Sequence, residues 1–283
     1  MQRSAMRRGA SNVELLVGMV ILSIAAMAVA RVVISQTRYF EHQKTAIQAR
    51  SVPRGPLNRL VSDLRMVEAI GGVIFASDTA VVVRAPYALG VTCTNVIGNT
   101  YVSILPVDSA MYDSPGFSGY AWRGSDGVYT YVESGTPLLP ILDLNLCNIP
   151  IVTPLLAPGA RIVKIPIPLA NPPLSLGTPV FLYRKIRYSF RPSSALPNSR
   201  GLFRTIVATG QTEELSAPFE ATAKFRFFVL SSRVPEAAAP ADLSTLRGIQ
   251  LVLDGMSEQV PSGRVAKQTA PFTTAVYFKN RPN

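Results

Sequence analysis

The chain has 283 residues, 48% of them hydrophobic and 16% charged, which supplies a sizeable core and excludes intrinsic disorder for the chain as a whole. With 28 Lys and Arg against 17 Asp and Glu the formal net charge is +11, a balance that attracts phosphates, anionic lipid or acidic polymers, but no basic run interleaved with aromatics singles out nucleic acid. The 23 prolines and 19 glycines point to a strand-and-turn body with many interruptions.

The N-terminus is the most informative stretch. Arg3, Arg7 and Arg8 precede a run from Leu15 to Ala30 that carries no charge, and Arg31 is followed by Val32, Val33 and Ile34. Arginine at that depth reaches back to the interface, so residues 13–34 amount to about 20 apolar positions, enough for a helix to cross a bilayer. The basic flank places the N-terminus in the cytoplasm and exports the rest. Three readings of the segment follow. Ala28, Val29 and Ala30 form a small-x-small site for conventional signal peptidase. A plain signal anchor makes Glu14 incidental. The third reading takes the whole string RRGASNVELLVGMVILSI, in which Gly9, Ala10 and an acid, Glu14, stand at the mouth of the apolar helix.

That string resembles the leader and first helix of type IV pilins and pseudopilins. The resemblance implies cleavage by prepilin peptidase between Gly9 and Ala10, N-methylation at Ala10, and a role for Glu14, the fifth mature residue, in meeting the N-terminal amine of a neighbouring subunit. An ionised carboxylate at mid-bilayer costs about 2.5–3.5 kcal/mol on insertion scales, less near the edge, and such a partner neutralises it. Glu14 also lies in the first helical turn, where the macrodipole favours negative charge. Ala10, Ser11 and Asn12 depart from the Phe and apolar residues usual at the first mature positions.

Polar residues then continue without Gly or Pro to Pro53, so the helix is expected to run to about Ser51, some 60 Å at 1.5 Å per residue. VPRGP breaks it. In LNRLVSDLRMVE, residues 57–68, Leu57, Leu60, Val61, Leu64 and Val67 recur at helical spacing and suit a face packed on a sheet. From Gly71 onward β-branched and aromatic runs predict strands at 80–85, 100–107, 127–133, 161–167, 180–190, 202–208, 223–230, 248–255 and 272–280. LNRL..DLR, LYRKIRY, EELSAPFEATAKFRFFVL and FTTAVYFKN resemble PilW-type minor pilins and J-type pseudopilins of type II secretion, over residues 10–70 and 176–281. The expected fold is α+β: a leader at 1–9, a membrane and stalk helix at 10–52, and an antiparallel β-sheet body at 53–283. Residues 86–160, rich in Gly, Pro and Ser, read as an inserted region or subdomain.

Cys93 and Cys147 pair if the body is exported and remain buried thiols if it is cytoplasmic. The aromatics Phe117, Tyr120, Trp122, Tyr129 and Tyr131 form either a binding face for a partner or glycan, or ordinary core. The single histidine, His42, falls on the stalk, and no P-loop, GxSxG or paired CxxC occurs, so no catalytic residue, metal or cofactor is expected. The resemblance implies a minor pilin or secretion pseudopilin in a tip or priming complex. Its partners would be other minor pilins, the major pilin, the inner-membrane assembly platform and, as processing enzyme, prepilin peptidase. The body would sit in the periplasm and then on a filament or the cell surface. Two rival readings are an exported basic protein, released after Ala30, that binds DNA or a surface polymer, and a pilin whose basic body serves DNA uptake or adhesion.

Overall fold

A computed structural model of the chain describes residues 12–96, 98–113, 115–136, 138, 140–141, 147, 160–166 and 174–278. Helix α1, Asn12–Ser51, runs unbroken for 40 residues and ends where expected. Helix α2, Arg54–Arg65, begins earlier than the prolines suggest. Pro56 sits in its first turn, where an amide has no helical acceptor to lose, so only the Val52–Pro53 step interrupts the helix. Leu60, Leu64 and Val67 are buried completely or nearly so, with Leu57 and Val61 packed beside them.

The body is antiparallel β-sheet. Its strands are β1 (Val73–Ala76), β2 (Ala80–Val96), β3 (Asn99–Ile104), β4 (Gly119–Arg123), β5 (Tyr129–Glu133), β6 (Pro140–Ile141), β7 (Arg161–Pro166) and β8 (Pro179–Pro192). They continue as β9 (Arg200–Ile206), β10 (Thr212–Phe219), β11 (Lys224–Val229), β12 (Leu246–Val252), β13 (Gly255–Met256), β14 (Thr269–Ala270) and β15 (Thr273–Tyr277). A short helix α3, Pro106–Tyr112, follows β3, because Pro106 suits a first helical position and ends the strand expected to reach residue 107. One sheet has the order β14-β13-β10-β9-β8-β2-β3-β7-β6, with β1 added on β2 and the β4–β5 hairpin added on β8; a second sheet is β11-β12-β15.

The long strands β2 and β8 form the spine, in register from Ala80↔Ser189 to Val91↔Pro179. The register shifts between Pro86 and Ala88. Val81, Val83 and Ala85 are buried before that shift and Ala88 after it, so the extra residue moves the inward face from odd to even numbers. Pro86, which ends the expected strand at Ala85, sits instead at a bulge, where a missing amide is tolerated. Residues 86–133 thereby supply the rest of β2 together with β3, β4 and β5, all hydrogen-bonded into the same sheet. The larger core joins Leu60 and Leu64 of α2 to Val83, Ile186, Tyr188 and Phe190 of the large sheet and to Phe225, Phe227, Ile249 and Val276 of the small one. A second core gathers Val102, Ile104, Tyr120, Trp122, Val163 and Leu182.

Cys93 and Cys147 are joined as a disulfide with Cα atoms 5.0 Å apart, and both are fully buried against Ile162. Their sequence separation is 54, so the paired serine variant, Cys93→Ser with Cys147→Ser, is expected to lose about 4 kcal/mol of stability on the chain-entropy account. Guanidinium unfolding of the full chain in detergent, with and without reductant, checks this: the reduced wild type should coincide with the variant.

The body grips only the end of α1. Thr45 and Ala49 are its buried residues. Thr45 Oγ1 donates to Gln268 Oε1 at 3.1 Å, and Ser216 Oγ donates to the Val52 carbonyl at 2.8 Å. Gly255 makes this contact possible, since a Cβ there would lie 2.8 Å from Pro53 Cδ and closer still to the Ala49 carbonyl oxygen. Gly255→Ala should therefore push the helix off, at a cost of about 1–3 kcal/mol. Limited trypsin digestion checks it: cleavage after Arg50 and Arg54 should accelerate, and unchanged protection would show the contact to be soft.

Candidate functional site

Two features stand out as candidates: the free part of α1 and the charged clefts of the body. An 18-residue window of α1 has mean hydropathy 2.4, and none of it is buried. Leu15, Leu16, Val17, Met19, Ile21, Leu22 and Ile24 are each more than half exposed, as are Met27, Val29, Val33 and Ile34. Burying so much apolar surface is worth roughly 25 cal/mol per Å², and the body covers none of it. The one hydroxyl within the charge-free run, that of Ser23, donates to the Met19 carbonyl at 2.6 Å, and Thr37 Oγ1 donates to the Val33 carbonyl at 2.9 Å. These polar groups are satisfied within the helix and do not oppose burial in an apolar medium. The helix is long and apolar enough to cross a membrane.

Glu14 lies in the first turn of α1 with its side chain exposed. Gly9 and Ala10, expected to flank the processed bond, lie outside the described residues. Ala28, Val29 and Ala30 are helical, and α1 continues through them to the stretch that the body holds.

Within the body, Tyr188 Oη donates to Asp63 Oδ2 at 2.5 Å, and Arg204 Nε donates to the same oxygen at 3.2 Å. The Arg204 side chain is only 8% exposed. This cluster ties α2 to β8 and β9. A second cluster centres on Glu133, which meets Arg84 Nη2 at 2.8 Å and Lys185 Nζ at 2.7 Å. The hydrogen bonds from Lys185 and then Arg84 hold the Glu133 carboxyl below its ordinary range. Arg84 also lies 4.7 Å from the centre of the Tyr131 ring.

The aromatic-rich segment divides between core and cleft. Tyr120 and Trp122 are buried and stacked at 6.0 Å between ring centres, and Phe117 packs against the same core. Tyr129 and Tyr131 instead line a cleft of about 250 Å³ with Glu68, Phe181 and Tyr183. Sequence reasoning missed Asp63, Arg184 and Arg204, which come from α2, β8 and β9 and have no signature along the chain. His42 lies on α1, and among the described residues no three His, Cys, Asp or Glu side chains gather as a metal site. No protein-family profile, curated protein or solved structure matches the chain.

Proposed function

We propose that the chain is a minor pilin or the equivalent pseudopilin of a type II secretion system. On this reading it is made as an inner-membrane precursor, cut between Gly9 and Ala10, and packed through α1 into the helical core of a filament. The observation that carries the reading is the uncovered apolar length of α1 with an acid, Glu14, in its first turn. Such a helix needs a membrane before assembly and other helices after it. The helix runs unbroken from Asn12 through Ala30 to the Thr45 and Ala49 contacts with the body, the continuity that a retained anchor uses. The disulfide supports an exported body, because such bonds persist in oxidising compartments. The size of the body, most of the 274 residues beyond Gly9, favours a tip or priming position beside other minor pilins and the major pilin rather than a repeating shaft.

Shearing and fractionation of cells test this. The chain should divide between the inner membrane and sheared or secretion-associated fibres, and should leave the fibre fraction when prepilin peptidase is removed. Recovery only as a free exported protein would favour the rival, a basic binding protein released after Ala30.

A further inference from the structure

A cleft of about 380 Å³ opens where α2, the β2 bulge, α3, β8 and β9 meet. Three guanidinium groups line it, those of Arg59, Arg184 and Arg204, against two carboxylates, Asp63 and Asp108. Both carboxylates are engaged. Asp63 accepts from Tyr188 and Arg204, and Asp108 Oδ2 accepts from the Leu89 amide at 2.9 Å. Among the described residues, neither Arg59 nor Arg184 has a carboxylate within ion-pair distance.

Arg184 is the revealing member. Its guanidinium carbon sits 4.0 Å from the centre of the Tyr87 ring, and Nη2 makes only a long bond, 3.4 Å, to the Met111 carbonyl. Among the described residues its Nε is buried with no acceptor, and so is the Tyr87 hydroxyl beside it. Burial lowers the Arg184 pKa and pushes that of Tyr87 up to about 12. Arg184 is a half-buried cation with unused donors on which Asp63 acts only from beyond ion-pair distance, so its lost hydration is repaid only in part. The planar guanidinium fork matches a carboxylate or phosphate.

We propose that this cleft is a binding site for an oxyanion, held by Arg184 and Arg59 over the Tyr87 ring. The same chemistry serves a free inorganic anion or a carboxylate presented by an acidic segment of a partner protein. The inference stands apart from the filament reading, since it uses only the body's own side chains.

Two titrations of the full chain in detergent micelles test it, at fixed ionic strength. A fluorescein-labelled tetraglutamate peptide is followed by anisotropy, and inorganic phosphate by calorimetry. One saturable site is expected, weakened at least about tenfold by Arg184→Gln. Arg187→Gln, on the same strand but outside the cleft, should change affinity less than about twofold. Peptide bound at least about tenfold more tightly than phosphate would assign the site to a partner's acidic segment; equal or tighter phosphate binding would assign it to a free anion. Arg184→Gln should melt at or above the wild-type temperature, because it removes a half-buried unpaired charge. Should it melt lower, Arg59→Gln, exposed on α2, carries the same expectation. Absence of saturable binding, or equal weakening by the Arg184 and Arg187 variants, would overturn the proposal and leave only diffuse surface charge.

Discussion

Glu14→Ala is expected to insert into the membrane, to be processed between Gly9 and Ala10, and then to be lost from filaments. The substitution removes an acid from the mouth of an apolar helix, so insertion becomes easier. On the proposed filament reading, what it removes in assembly is the counter-charge for a neighbouring subunit's N-terminal amine. An amine left unpaired in a dry helical bundle costs about 3–5 kcal/mol, which corresponds to a fall in incorporation of roughly a hundredfold or more. Glu14→Gln keeps a hydrogen-bond acceptor without the charge and should fail nearly as badly. Immunoblotting of sheared fibres against the membrane fraction reads both outcomes. Normal incorporation of Glu14→Ala would remove the assembly role assigned to this residue while leaving the membrane anchor intact.

The second large effect is expected in the body. Asp63→Ala takes the only carboxylate among the described residues from a guanidinium that is nearly inaccessible to solvent, and it removes the acceptor of the Tyr188 hydroxyl. An uncompensated buried charge costs about 3–5 kcal/mol, which for a body of this size lowers the melting temperature by on the order of 10 °C. Removing both ionic partners tells charge from shape. Asp63→Leu combined with Arg204→Met leaves no stranded charge, and the pair should recover most of the loss. Thermal unfolding of both variants beside the wild type in detergent measures this. Equal stability of Asp63→Ala and wild type would mean that α2 is held by apolar packing alone, through Leu60 and Leu64 with Leu57 and Val61 beside them.

Helices α1 and α2 and most of the strands are legible in the amino-acid order, for local reasons. No Gly or Pro occurs between Gly18 and Pro53, so nothing stops α1 before its observed end. Strands such as β8, β11 and β12 advertise themselves through β-branched and aromatic residues. What is hidden depends on tertiary context. Pro86 looks like a terminator, yet the bulge beside it lets β2 continue through Val96 and carry the chain into a second core. Strand β10 carries the adjacent acids Glu213 and Glu214 directly after its first residue, Thr212, a poor strand signal that pairing with β9 overrides. Strands β13 and β14 have two residues each, too few for any periodicity. The long apolar helix and Glu14 are readable because they lie within one continuous string. The oxyanion cleft is not, because Arg59, Arg184 and Arg204 meet only after the sheet and α2 have folded. The cysteines are an intermediate case: their pairing follows from sequence only once the compartment is known, and their 5.0 Å Cα separation shows the fold bringing them together.

The most direct measurement is the N-terminal sequence and mass of the protein isolated from its native membrane or fibres. The filament account predicts a chain that begins at Ala10, with or without an added methyl group, and retains α1 whole. A chain that begins at Arg31 would contradict it, as would one that keeps Met1 through Gly9 in the presence of prepilin peptidase.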